Sequence, residues 1–167
     1  VKLIDYYEMI AEDRNISFEK VGDFRAVLGD ESLLQRLFAN LISNASYYAA
    51  SNSVITIEAS TVETSTHPYR VINDLQSIKP SASKYSFLPQ SYLKVVLTNR
   101  LVQPLVQVEA DKLFERFYRH SKTKNAHSGT GLGLSIVQAI ARAHKGQVSI
   151  TVKDEYYLQV NIELLLA

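Results

Sequence analysis

A chain of 167 residues with 46% hydrophobic and 21% charged residues suits one globular domain with a real core. Its net charge of +1 gives no bulk electrostatic pull toward nucleic acid or an anionic membrane, so any basic chemistry has to be local. Cysteine is absent, which excludes disulfides and thiolate metal sites, and no apolar run approaches the roughly 18 residues of a membrane-spanning helix. The abrupt start at Val1, without a charged-then-apolar leader, reads as a domain cut from a longer chain. Residues 2–13 carry Leu3, Ile4, Tyr7 and Ile10 at helical spacing, ending near Asn15. Ile16–Lys20 alternates like a strand, and Phe24–Leu28 reads as a second one. Gly29 breaks the chain, and Asp30 is placed to cap a helix with Glu31 in its first turn. In that helix Leu33, Leu34, Leu37, Phe38, Leu41, Ile42 and Ala45 form an apolar stripe, and the pattern runs to about Ala50. A β-prone run follows over Val54–Ala59. Residues 64–91 are rich in Ser, Thr, Pro and Lys and read as a long loop or hairpin excursion between strands. Tyr92–Leu97 is a strand, Glu109–Tyr118 a short helix and Arg119–Thr130 a polar loop. Leu132–His144 is a second strong helix, stopped at Gly146, and two strands close the chain near Val148–Val152 and Tyr157–Leu164. Helices and strands interleave without a strict βαβ rhythm. The expected fold is α+β, a two-layer α/β sandwich with a mixed sheet covered on one face by helices.

Three constellations carry chemistry. Asn40 and Asn44 lie one helical turn apart, so their amides share a face at the edge of the apolar stripe. A carboxamide oxygen is a neutral ligand suited to Mg²⁺, which prefers oxygens and shares them with nucleotide phosphates; the bland alternative is a pair of solvated border residues. The run Ser128-Gly129-Thr130-Gly131-Leu132-Gly133-Leu134-Ser135 leads into a helix, where open backbone N–H groups and the helix start make a phosphate seat. Leu134 occupies the last position of a dinucleotide fingerprint, and no Gly-Lys-Ser/Thr of a P-loop occurs. The third is Leu113-Phe114-Glu115-Arg116-Phe117-Tyr118-Arg119 with Lys122 and Lys124, a cationic segment able to close over a phosphate group.

The order Asn-x-x-x-Asn-Ala, Phe-x-Arg-Phe-Tyr-Arg, Gly-Thr-Gly-Leu-Gly-Leu-Ser-Ile-Val resembles the catalytic domain of sensor histidine kinases, within the wider family shared with gyrase-type and chaperone ATPases. The likeness covers Ile4 to Leu166 and implies the Bergerat fold, one domain over 1–167, with ATP held between the long helix and a lid at 114–130. It implies Asn44 as the Mg²⁺ ligand, Asn40 on the phosphate side and Tyr48 against the nucleotide. Gly129, Thr130, Gly131, Leu132, Gly133 and Leu134 would form the seat, with Arg116 and Arg119 as lid cations. Water-hydrolysing relatives carry a glutamate base one turn before the magnesium asparagine; here Asn40 stands there and cannot take a proton at neutral pH. Transfer to a histidine on a separate dimerisation domain is therefore expected, feeding a response regulator on the cytoplasmic side of an inner-membrane sensor. His67, His120, His127 and His144 lack the context of such an acceptor and read as surface or structural.

Two departures stand out. Where the resemblance expects Asp-x-Gly-x-Gly, whose aspartate reads the adenine amino group, the chain has Asn99, Leu101 and Gln103. Asn99 can still accept through its side-chain oxygen, but positive φ at the other two positions would cost non-glycine residues ~1 kcal/mol or more. Replacing one charge-assisted hydrogen bond, worth roughly 1.5–3 kcal/mol, weakens ATP binding ~10–100-fold. Tyr47 stands where Lys or Arg is usual. These departures leave a second expectation open: a degenerate domain that signals by protein contact.

Overall fold

The computed structural model describes residues 2–64, 90–119 and 130–167. Helix α1 (Lys2–Ala11) leads through one 3₁₀ turn into β1 (Ile16–Gly22); α2 (Glu31–Tyr48) follows, then β2 (Ser53–Thr64) and β3 (Gln90–Arg100). The short α3 (Gln107–Asp111), α4 (Gly133–Ala143), β4 (Gln147–Lys153) and β5 (Tyr157–Leu165) complete the chain. The five strands form one sheet in the order β1-β2-β3-β5-β4. Only β1 and β2 pair in parallel, with Ile16 opposite Ser53; the other pairs are antiparallel. The α+β sandwich with a mixed sheet is thus the observed fold.

Alternation builds its core. Leu93, Val95, Leu97 and Asn99 of β3 share the buried face with Leu158, Val160, Ile162 and Leu164 of β5. Against that face lie Leu34, Leu37, Leu41, Ile42 and Ala45 of α2 and Val137, Ile140 and Ala141 of α4. Burying each large aliphatic side chain contributes about 1.5–3 kcal/mol. Leu33, at the margin of the expected stripe, is exposed. Helices α2 and α4 pack on one another, and α1 covers α2 and β1.

Several boundaries differ from expectation. Phe24–Leu28 is not a strand; it makes a single antiparallel bridge, Val27 to Leu166, just past the point where β4 stops pairing with β5, at Gln147 opposite Glu163. The expected helix over Glu109–Tyr118 ends early. After α3 a 3₁₀ turn spans Lys112–Phe114, and Phe117 takes a left-handed φ of 67° that no helix tolerates. Helix α4 stops not through a left-handed Gly146 but through Lys145, at φ 56°; Gly146 is needed because a Cβ there would collide with the Glu163 carbonyl. β2 and β3 reach Thr64 and Gln90, which pair, so the excursion joins neighbouring antiparallel strands; residues 65–89 lie outside the described residues. Among the described residues no helix is long and apolar enough to cross a membrane.

Candidate functional site

A cleft of about 510 Å³ opens between α2, the end of β3 and the start of α4. That volume is within the range of sites for nucleotide-sized ligands, typically about 300–1,000 Å³. From α2 come Asn40, Ser43, Asn44, Tyr47 and Tyr48; from the far side come Thr130, Gly131, Gly133 and Leu134. Leu101, Val102, Leu105, Leu113 and Leu158 form an apolar floor and wall, with Gln103 beside them.

Helix α2 presents its two asparagines by periodicity. Asn40 Nδ2 donates to the Arg36 carbonyl at 2.8 Å, which fixes the amide and turns Oδ1 toward α4. A methyl group on Gly133 would stand 3.6 Å from that oxygen, ordinary contact, so the two helices meet closely here. Asn44 is half-buried in the cleft wall and makes no hydrogen bond to any described residue, leaving its carboxamide oxygen available as a ligand.

The start of α4 faces the cleft. Its N-cap is Leu132, with no side-chain capping bond, so the first-turn N–H groups lack a side-chain acceptor. Ser135, the hydroxyl nearest to hand, donates instead to the Leu132 carbonyl at 2.8 Å. Gly131 has φ 70°, and its carbonyl accepts from Phe117 N–H at 3.0 Å. That bond ties together the two ends of the segment expected to act as a lid. A Cβ at Gly131 would lie 2.9 Å from the Phe117 carbonyl carbon.

Tyr48 is half-buried at the C-terminal end of α2, edge-on to Tyr47 with ring centroids 4.9 Å apart. Burial pushes its phenol above the usual value; the Arg119 guanidinium, through its charge and a hydrogen bond, works against that rise, while Tyr47 adds to it. Tyr48 is therefore a neutral phenol in the physiological range, held by Arg119. Arg116 is exposed and does not line the cleft.

Asn99 differs from its expected setting. It is 1% exposed, beneath the cleft rather than in its lining, and its Nδ2 has no hydrogen-bond partner among the described residues. Its cross-strand partner Leu158 and its neighbour Leu101 are what the cleft meets. Leu101 and Gln103 have no positive φ, so the strain anticipated for non-glycine residues is absent. Leu101 instead bridges to Ala49 and fills space with its side chain. Gly129, Lys122, Lys124, His67, His120 and His127 lie outside the described residues. His144 is structural: its Nε2 accepts from Asp30 N–H at 3.0 Å and its Nδ1 faces the Ile140 carbonyl at 2.8 Å. Sequence reasoning missed Ser43, Leu105 and Leu158, apolar or small residues whose only signal was their place on the inward face.

Comparison with known proteins agrees with this geometry. Residues 29–166 match the family described as histidine kinase-, DNA gyrase B-, and HSP90-like ATPase. Sensor histidine kinase CusS of Escherichia coli (strain K12) is 30% identical over 151 residues, covering 90% of this chain and 26% of CusS. Sensor histidine kinase HprS of the same organism is 32% identical over 149 residues, 88% of this chain and 26% of HprS. The chain thus spans 26% of the length of these relatives. Among solved structures, a mycobacterial sensor histidine kinase, MprB, superposes with a TM-score of 0.63 at 20% identity, covering 99% of this chain and 93% of that one. Full-length ShkA in complex with AMPPNP gives a TM-score of 0.66 at 18% identity over 99% of this chain and 29% of ShkA. By its family match, its sensor-kinase relatives and a cleft framed by the asparagine helix and the glycine-rich helix start, the chain belongs to the histidine kinase-, DNA gyrase B- and HSP90-like ATPase family.

Proposed function

We propose that this domain binds Mg·ATP in the cleft and presents the γ-phosphate to a histidine on a separate dimerisation domain of the same full-length protein. That histidine would in turn supply a response regulator in two-component signalling, on the cytoplasmic side of a membrane sensor. The observation that carries the proposal is the convergence of the unpartnered Asn44 carboxamide and the uncapped start of α4 on one cleft.

Each residue then has a task. Asn44 offers an oxygen to the metal, and Asn40 holds the phosphate side through its fixed amide. The amides from Gly131 to Leu134 receive phosphate oxygens, with Thr130 just before them, and the helix start favours their negative charge. Bound Mg²⁺ would neutralise the phosphate charge. Tyr48 and the leucine floor hold the base, with Asn99 beneath. Arg119, hydrogen-bonded to Tyr48, would exchange it for phosphate, and exposed Arg116 would flank the lid. Asn40 has no basic group to activate water, which favours transfer to an external nucleophile.

The test is calorimetric titration with Mg·AMPPNP. Binding at micromolar to sub-millimolar levels that is abolished in Asn44→Asp supports the proposal, and silence to several millimolar sinks it. One observation favours a second reading: the buried unpartnered Asn99 amide and the Leu101 side chain mark a weakened base pocket. In that reading the domain binds nucleotide poorly and signals by contact with its partner domain. Brisk multiple-turnover ATP hydrolysis by the isolated chain would contradict both.

A further inference from the structure

The C-terminal end of α2 carries Tyr47 and Tyr48, yet nothing within the helix secures it. Its last turn has no basic residue, and its C-cap is Ala49, extended at ψ 142°. The glycine that commonly closes a helix with a left-handed turn is absent. The last carbonyls of a helix lack intrahelical donors and carry the negative end of its dipole.

Among the described residues, one side chain from outside the helix meets them. Arg14, in the 3₁₀ turn after α1, donates from Nη1 to the Ser46 carbonyl at 2.8 Å and to the Tyr47 carbonyl at 3.2 Å. Its Nη2 donates to the Ala49 carbonyl. Among the described residues Arg14 has no carboxylate partner; the only ion pair there joins Arg25 and Asp23. The return contacts are one backbone bond, Asn52 N–H to the Arg14 carbonyl at 3.0 Å, and one between side chains, Asn15 Nδ2 to Asn52 Oδ1 at 2.9 Å. Asn15 and Asn52 both sit at positive φ, 51° and 56°, which asparagine accommodates.

The clamped segment also joins the two walls of the cleft. Ala49 bridges to Leu101, and Ala50 N–H donates to the Arg100 carbonyl at 2.7 Å. Tyr47 and Tyr48 on one wall and Leu101, Val102 and Gln103 on the other therefore diverge from the segment Arg14 holds.

We infer that Arg14 is a positioning residue for the base end of the nucleotide cleft: a guanidinium cap, contributed by the turn after α1, that sets the Tyr47–Tyr48 wall against the Leu101 wall. It touches no ligand itself. The inference rests on the cleft being a nucleotide site, and the test separates the two.

The whole 167-residue chain is titrated with Mg·AMPPNP as wild type, Arg14→Ala, Arg14→Lys and Val148→Ala. Val148 is half-buried on β4, an edge strand that contributes nothing to the cleft. Urea midpoints are measured for all four. Arg14→Ala should weaken AMPPNP binding roughly tenfold, Arg14→Lys should recover about half of that in free energy, and Val148→Ala should lose stability but not affinity. If Arg14→Ala does not fold, Arg14→Gln, which keeps donors but no charge, takes its place. Wild-type affinity in Arg14→Ala, or an equal loss in Val148→Ala at matched stability, overturns the inference and leaves the nucleotide site standing. Silence of the wild type overturns the nucleotide reading and this inference with it.

Discussion

The two long helices begin in opposite ways. At the start of α2, Asp30 Oδ1 accepts from Leu33 N–H at 2.8 Å, and the Asp30 N–H is taken by His144 Nε2. Gly29 makes room for the His144 ring, where a Cβ would overlap it. At the start of α4, Leu132 offers no cap, Gly131 is left-handed, and the cleft opens directly over the first turn. Both ends have the same four orphan N–H groups and the same partial positive charge. At the α2 start a side chain takes one of them; at the α4 start no side-chain cap does, and the reading proposed above leaves them to a ligand.

Substitutions at the two starts sharpen this contrast. Gly131→Ala forces a side chain into φ 70° against the Phe117 backbone, 2.9 Å away. Mg·AMPPNP affinity should fall about 100-fold, or ~2.7 kcal/mol, because the seat and the root of the lid shift together. Titration checks this, and a loss below threefold would break the idea that α4 begins as a ligand seat. Next, Asn99→Asp places a carboxylate beneath the base. If the pocket reads an amino group there, ATP affinity should rise about tenfold, the charge-assisted bond being partly offset by burying the charge. A fall in affinity would favour the contact-only domain. Asp30→Ala should cost about 0.5–2 kcal/mol of stability, a lower Tm by a few degrees, with AMPPNP affinity unchanged. Weakened binding in that variant would mean the two helix starts are not independent. The smallest effect belongs to Gly133→Ala. Its methyl would meet Asn40 at ordinary contact distance in a helical backbone, so stability should rise by ~1 kcal/mol at most, read as a higher urea midpoint. A destabilised Gly133→Ala would show that the α2–α4 contact is tighter than its geometry.

Gly131 and Gly133 illustrate what sequence reading reached. Their alternation with Thr130 and Leu132 led to the expectation of a phosphate seat, yet only the backbone distinguishes the left-handed Gly131 from the helical Gly133. The paired asparagines were legible because helical periodicity alone places them on one face. Arg14 was not: its three acceptors lie more than thirty positions along the chain, and no local pattern announces a cap supplied from another element. Leu101 and Gln103 were read as strained glycine replacements; the backbone there has no positive φ, and their effect is on the shape of the cleft.

By itself the sequence determined what short-range physics can encode. The apolar stripe of α2, the Asp30 cap, the alternation of β3 and β5, and the order of the asparagine, aromatic and glycine motifs all follow from periods of 3.6 and 2 and from side-chain chemistry. Tertiary structure alone decided how distant segments meet: the strand order, the bridge from Ala49 to Leu101, the burial of Asn99 and the reach of Arg14 to the end of α2. Those depend on which surfaces exclude water together, a condition of the whole packed chain that no window of residues contains.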